Sequence, residues 1–120
     1  VTALLDLGHQ QLTAYLGAVA TEVGVRPESV IVHAGSACLW LDRRVATHPG
    51  RDAALLWDPQ HGWSLAVETH SGEDLIVLRY LGGALCPSPR AVAGFTTAAR
   101  HGLPVGHPDP PTSFPVSIAA

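Results

Sequence analysis

The chain has 120 residues, 47% of them hydrophobic and 14% charged, with a net charge of −3. That length and balance imply one globular domain with a sizeable core and exclude a disordered chain. The seven basic residues are all Arg, and only Arg43 and Arg44 are adjacent, which argues against nucleic-acid binding. Lys, Asn and Met are absent, while Ala, Gly, Pro and Arg are abundant. The absent residues have AT-rich codons, so the composition points to a high-GC genome such as that of an actinobacterium. The N-terminus shows no basic segment leading into an apolar one, and no apolar run approaches the roughly 20 residues of a membrane span. The expectation is a cytoplasmic protein that does not bind membranes. Cys38 and Cys86 lie far apart and form no CxxC, so two free and mostly buried thiols are expected.

Residues 4 to 23 read as the first helix. Leu5, Leu12, Leu16, Val19 and Val23, with Tyr15 and Ala20 beside them, form one apolar stripe at three- and four-residue spacing. Gly24 and then Pro27 stop it. Val30-Ile31-Val32 is β-branched and ends at Ala34-Gly35. Residues 37–41 form a second extended stretch, with Cys38 and Trp40 facing one way and Leu39 and Leu41 the other. One bent strand or two short ones fit equally well. Residues 42–52 are polar and contain Pro49-Gly50, which marks a loop.

The sharpest pattern covers residues 53–83, three strands joined by two polar turns. Pairing Trp57 with Trp63 sets Leu55 opposite Leu65 and Ala53 opposite Val67, all on one face. A slip by one residue would mix the faces. The first turn is then Asp58-Pro59-Gln60-His61-Gly62, with Asp58 accepting backbone N–H groups and Gly62 tolerating positive φ. Residues 69–74 form the second turn. Ile76, Leu78 and Tyr80 extend the Trp face if Val67 sits beside Ile76. The opposite face carries Ala54, Leu56, Ser64, Ala66, Leu75, Val77 and Leu81, interrupted by Asp52, Glu68 and Arg79. It is neither a solvated face nor an ordinary core face. Ser88-Pro89 starts a second helix with Val92, Phe95 and Ala99 on its inner side, ended by Gly102. Residues 103–120 hold five prolines and read as an extended tail that packs through Phe114, Val116 and Ile118. The expected fold is α+β: an antiparallel β-meander of about four strands flanked by an N-terminal and a C-terminal helix. Residues 1–102 form its single domain and 103–120 the tail.

Few groupings suggest chemistry. None of the seven histidines has HExxH or His-x3-His spacing. Glu68 and His70, two apart on a strand, fit a metal with Asp52 as third group; the plainer reading is solvated residues at a strand end. Asp52 and Glu68 fall opposite each other. They suit acid–base work, but an Arg from the preceding loop, such as Arg51, would neutralise them. Asp58 and His61 share a turn in which Asp orients an imidazole, yet no nucleophile motif accompanies them. Trp57, Trp63 and Tyr80 form an aromatic ladder, more in keeping with core than with a ligand platform. Glu68, Glu73 and Asp74 rim the second turn. No cofactor motif is present.

The segment LLWDPQHGWSLAVETHSGEDLIVLRYLGG and the PSPRAVAGF beyond it resemble a small actinobacterial family known only as a domain of unknown function. Its features are a YL-x-AVA helix, here Tyr15 to Ala20, a WD-x-x-HGW turn, an ETGSGEDL-like turn and a P-x-PRAVA helix start. His70 stands where that pattern has a small residue. The likeness spans roughly residues 12 to 100 and brings no activity and no functional residue.

The residues favour a non-catalytic accessory or regulatory module that binds a protein, with a second copy of itself as one such partner. The candidate binding residues are Asp52, Trp57, Asp58, His61, Trp63, Glu68, His70, Glu73 and Arg79. The alternative is a metal- or small-ligand-binding protein or enzyme using Asp58, His61, Glu68 and His70 at the hairpin ends.

Overall fold

The computed structural model describes residues 9–69 and 74–111. Helix α1 (His9–Val23) is followed by a single 3-10 turn at Pro27–Ser29. Strands β1 (Val30–His33), β2 (Ser36–Trp40), β3 (Ala53–Asp58), β4 (Gly62–Glu68) and β5 (Leu75–Tyr80) come next, and helix α2 (Pro89–Arg100) closes the order. The five strands form one antiparallel meander in sequence order. The α+β reading holds, with five strands rather than four. The extra strand arises because residues 30–40 are two strands, joined by Ala34 at φ 52° and Gly35 at φ 81°. Two successive positive φ values make the tight hairpin turn whose twist matches the strands.

The stripe on α1 behaves as its spacing requires. Leu16, Val19 and Ala20 are fully buried, with Leu12, Tyr15 and Val23 packed beside them. Leu5 lies outside the described residues. On α2, Ser88 Oγ accepts the Ala91 N–H at 3.2 Å, Pro89 opens the helix, and Val92, Phe95 and Ala99 turn inward. The two helices pack on each other and on one face of the sheet. That face is Ala37, Leu39, Ala53, Leu55, Trp57, Trp63, Leu65 and Val67, all buried. The predicted register of β3 with β4 is found: Trp57 opposes Trp63, Leu55 opposes Leu65, and Ala53 opposes Val67.

Polar groups buried by this packing are paired. Trp57 Nε1 donates to Leu85 O at 2.9 Å, which fastens the β5–α2 connection over the core. Trp63 Nε1 donates to the Tyr15 hydroxyl at 3.0 Å, and that hydroxyl donates to Pro87 O at 2.6 Å. The Thr96 hydroxyl donates to Val92 O. Val45 and Leu85, from segments that read as loop, also join the core.

The pairing of β4 with β5 departs from the simple alternation. Val67 opposes Ile76 and Ala66 opposes Val77, but Leu65 opposes Arg79 and Ser64 opposes Tyr80. Leu78 is the extra residue of a β-bulge, and a bulge reverses the facing of the residues beyond it. Tyr80 therefore leaves the Trp face, and Arg79 takes its place there. Arg79 donates from Nε to Val105 O at 2.7 Å and from Nη2 to Gly106 O at 3.4 Å. The segment after α2 is thereby drawn back to β5, where Tyr80 and His107 exchange two backbone hydrogen bonds of 2.7 Å. Gly106 permits this close approach: it has φ 67°, and a Cβ there would run into Tyr80 O. Phe114, Val116 and Ile118 lie outside the described residues.

Candidate interaction face

Both described helices lie on the Trp57 side, which leaves the other side of the sheet without a described helix over it. Cross-strand pairing sets two rows of side chains there. One row is Trp40, Ala54, Ala66 and Val77; the next is Ile31, Cys38, Leu56, Ser64 and Tyr80. The middle of the face is made of small residues, with Ala54 and Ala66 fully buried between their neighbours and Ser64 nearly so. The flanks are large and accessible: Ile31 is 54% exposed and Trp40 39%, with Leu56, Val77 and Tyr80 half-buried. Exposed aromatic and branched side chains on one contiguous surface mark interaction sites more often than isolated apolar residues do.

Charged groups sit at the two ends of this face. At one end, β3 and β4 bring Asp52 and Glu68 together. The Glu68 N–H donates to Asp52 O at 3.0 Å, and the Asp52 N–H donates to Glu68 Oε1 at 3.4 Å. The expected cations are there. Arg44 Nη2 lies 3.2 Å from Asp52 Oδ1, and Arg51 Nη1 donates to Glu68 O at 3.5 Å. Both partners of the Arg44–Asp52 pair are more than half exposed, so it organises the loop more than it stabilises the fold.

At the other end lies the Asp58–Gly62 turn. Asp58 Oδ1 accepts the N–H groups of Gln60 and His61, each at 2.8 Å, and Gly62 has φ 68°. The capping role expected of Asp58 is the one found. His61 Nδ1 is 3.2 Å from Asp58 Oδ2, so this nitrogen carries the proton and donates. The His61 ring lies against Tyr80, centroids 6.1 Å apart.

The nine residues singled out from the sequence are thus dispersed. Asp58 and His61 are at the turn end of the β3–β4 hairpin, and Asp52 and Glu68 are at its open end, a strand length of about 20 Å away. Trp57 and Trp63 are core residues beneath the helices, 4% and 1% exposed. Arg79 does not share a face with Asp52 and Glu68, because the bulge turns it to the helix side. His70 and Glu73 lie outside the described residues. Among the described residues, no group of three or more His, Cys, Asp or Glu side chains could hold a metal ion. A cleft of about 390 Å³ between the ends of α1 and α2 contains none of the nine.

Ile31 and Trp40 were not among the nine. The facing of Cys38 and Trp40 in β2 was legible, but its meaning depends on β2 pairing with β3. Both thiols are free and half-buried rather than mostly buried. Cys38 is on the accessible face and Cys86 lies beyond β5 on the helix side. Burial raises both thiols, Cys86 to about 11. Burial also raises the Tyr15 phenol well above its ordinary value.

No helix among the described residues is long and apolar enough to cross a membrane. No curated protein and no solved structure matches the chain. A family of unknown function (DUF6292) matches residues 15–98, from the middle of α1 to near the end of α2, so the match takes in the whole sheet. On that match the chain belongs to this family of unknown function.

Proposed function

We propose that the protein is a small non-catalytic accessory or regulatory module that binds another protein through the accessible face of its sheet. The observation that carries this reading is the exposure of Ile31 and Trp40 beside Leu56, Val77 and Tyr80, on the side away from both described helices. Accessible apolar and aromatic groups on the flanks of one sheet face, with charges confined to its ends, suit the recognition of another protein. The acidic balance and dispersed arginines favour a protein over a nucleic acid. The reading puts the module in the cytoplasm of a high-GC bacterium, away from membranes. The dispersal of Asp58, His61, Asp52 and Glu68 supports binding over catalysis, since acid–base chemistry needs its groups within hydrogen-bond reach of one substrate.

The test is site-specific photo-crosslinking in cells, with a benzophenone side chain at position 31 on the face or at position 22 on the exposed side of α1. A discrete protein adduct from position 31 and none from position 22 is expected. Equal labelling, or no adduct from position 31, would contradict the reading.

A further inference from the structure

We propose that the cleft between the ends of α1 and α2 binds a small organic anion, a carboxylate or phosphate monoester carried on a compact apolar body. The cleft lies among the helices, away from the accessible sheet face. The inference therefore goes beyond the reading of that face and does not depend on it.

The walls of the cleft are held by backbone hydrogen bonds. At the end of α1, Gly24 has φ 99°, and the N–H groups of Gly24 and Val25 both donate to Ala20 O at 2.9 Å. The chain turns there so that Val25 lines the cleft with Val23. The Leu41 N–H donates to Ala53 O at 2.9 Å, which carries the β2–β3 pairing one residue further and sets Leu41 beside them. These three half-buried side chains make an apolar floor. The loop after β2 is tied twice to the end of α2: the Ala46 N–H donates to Arg100 O at 2.7 Å, and Arg100 Nη1 donates to Arg44 O at 3.1 Å. The remaining wall is one face of α2, with Ala93, Thr96 and Thr97 spaced three and four residues apart. The volume of about 390 Å³ is thus formed in advance, and it lies within the range of small-molecule sites.

Charge decides what enters. Arg43 from the loop and Arg100 from α2 both line the cleft, with His101 next to Arg100. Among the described residues neither guanidinium forms an ion pair, and Arg43 has no hydrogen-bond partner. Asp42 is the one acid on the lining, and it pairs with neither arginine. Two fixed positive charges therefore face one negative charge, in a chain whose net charge is −3. The negative end of α2 is largely taken up within the fold. Its last carbonyls, Thr97 O, Ala98 O, Ala99 O and Arg100 O, accept the N–H groups of His101, Leu103, Gly102 and Ala46.

A guanidinium binds carboxylate or phosphate oxygens through paired N–H donors, so two of them on one cleft suit a single anionic head. The exposed Thr97 hydroxyl adds a further donor. The apolar part of such a ligand covers Val23, Val25 and Leu41. A neutral ligand of the same shape would leave the arginines unpaired, and a metal cation would meet them as like charges.

Amide NMR of the full chain tests this, with titrations of benzoate, phenyl phosphate and, as the neutral analogue, benzamide, at an ionic strength of about 0.15 M. Saturable shifts confined to residues 23–25, 41–43 and 93–101 are expected for at least one of the two anions, with benzamide weaker by about tenfold or more. Arg43→Glu should weaken that anion by about tenfold or more. Arg43 holds nothing else in the fold, so the rest of the spectrum should be unchanged and show that the variant is folded. Ala93→Trp, which fills the cleft without altering its charge, should also abolish the shifts. Shifts that fail to saturate for both anions by about 10 mM would overturn the inference. So would equal binding of benzamide, binding that survives Arg43→Glu unchanged, or saturable shifts centred on residues 31 and 40 instead.

Discussion

The Tyr15 hydroxyl accepts a hydrogen bond from Trp63 Nε1 and donates its own proton to Pro87 O, so one oxygen links α1, β4 and the connection into α2. All three elements meet at this point because Trp63 is buried and Tyr15 is half-buried against it, so these polar groups are largely shielded from water and pair with each other. Removing the oxygen leaves a donor and an acceptor without partners. Tyr15→Phe should therefore lower stability by about 1–3 kcal/mol. Urea denaturation checks this, and an unchanged midpoint would mean that the link carries no net weight.

The half-buried thiols and the same phenol make stability depend on pH in a defined direction. Burial raises Cys86 from 9.0 to about 11 and raises Cys38 and Tyr15 too. A raised acid holds its proton more tightly in the folded state. Its contribution is complete below the unfolded value and is lost as pH climbs through the folded one. The urea midpoint should stay level up to about pH 8 and fall from pH 9 toward 11. Cys86→Ala should flatten part of that fall, and Tyr15→Phe the part above about pH 10. A midpoint independent of pH over this range would contradict the assignment.

Much of this fold is legible in the sequence, and the exceptions have physical causes. The β3–β4 register follows from two tryptophans and a strict two-residue period, because a one-residue slip would expose the core face. The division of residues 30–40 is ambiguous in sequence because Ala34-Gly35 is a weak form of the turn it makes. The bulge is invisible there: Ile76, Leu78 and Tyr80 alternate as a regular strand would, and only pairing with β4 shows that Leu78 is extra. Val45 and Leu85 escape notice because each is a lone apolar residue without periodic neighbours. At the face, the meeting of Asp52 with Glu68 and the need for a nearby Arg are readable from register and charge. The role of Ile31 and Trp40 is not, since it requires knowing that both helices go to the other side.

The turn at Ala34 offers a direct test of the β1–β2 hairpin. Ala34 holds a positive φ that costs an alanine about 1–2 kcal/mol and suits asparagine far better. Ala34→Asn should raise stability by about 1 kcal/mol without changing the fold. Thermal unfolding measures it, and a loss of stability would show that the turn has another conformation.

The segment after α2 depends on Arg79. Arg79→Met removes its donors to Val105 O and Gly106 O, and Gly106→Ala would push the segment off Tyr80 O. Both variants should speed amide exchange at His107 and Tyr80 by at least tenfold while sparing β3 and β4. Uniform acceleration across the sheet would mean that the segment is part of the cooperative core.

The central claim is that the Trp40 face is covered by protein in the working state. Trp57 and Trp63 are buried, which leaves Trp40 as the accessible tryptophan. Hydroxyl-radical footprinting with mass spectrometry can therefore read Trp40 oxidation in the native cell and in the purified chain at high dilution, with Trp57 and Trp63 as internal references. The account predicts strong protection of Trp40 in the cell and its loss on dilution. Equal oxidation in both conditions would contradict it.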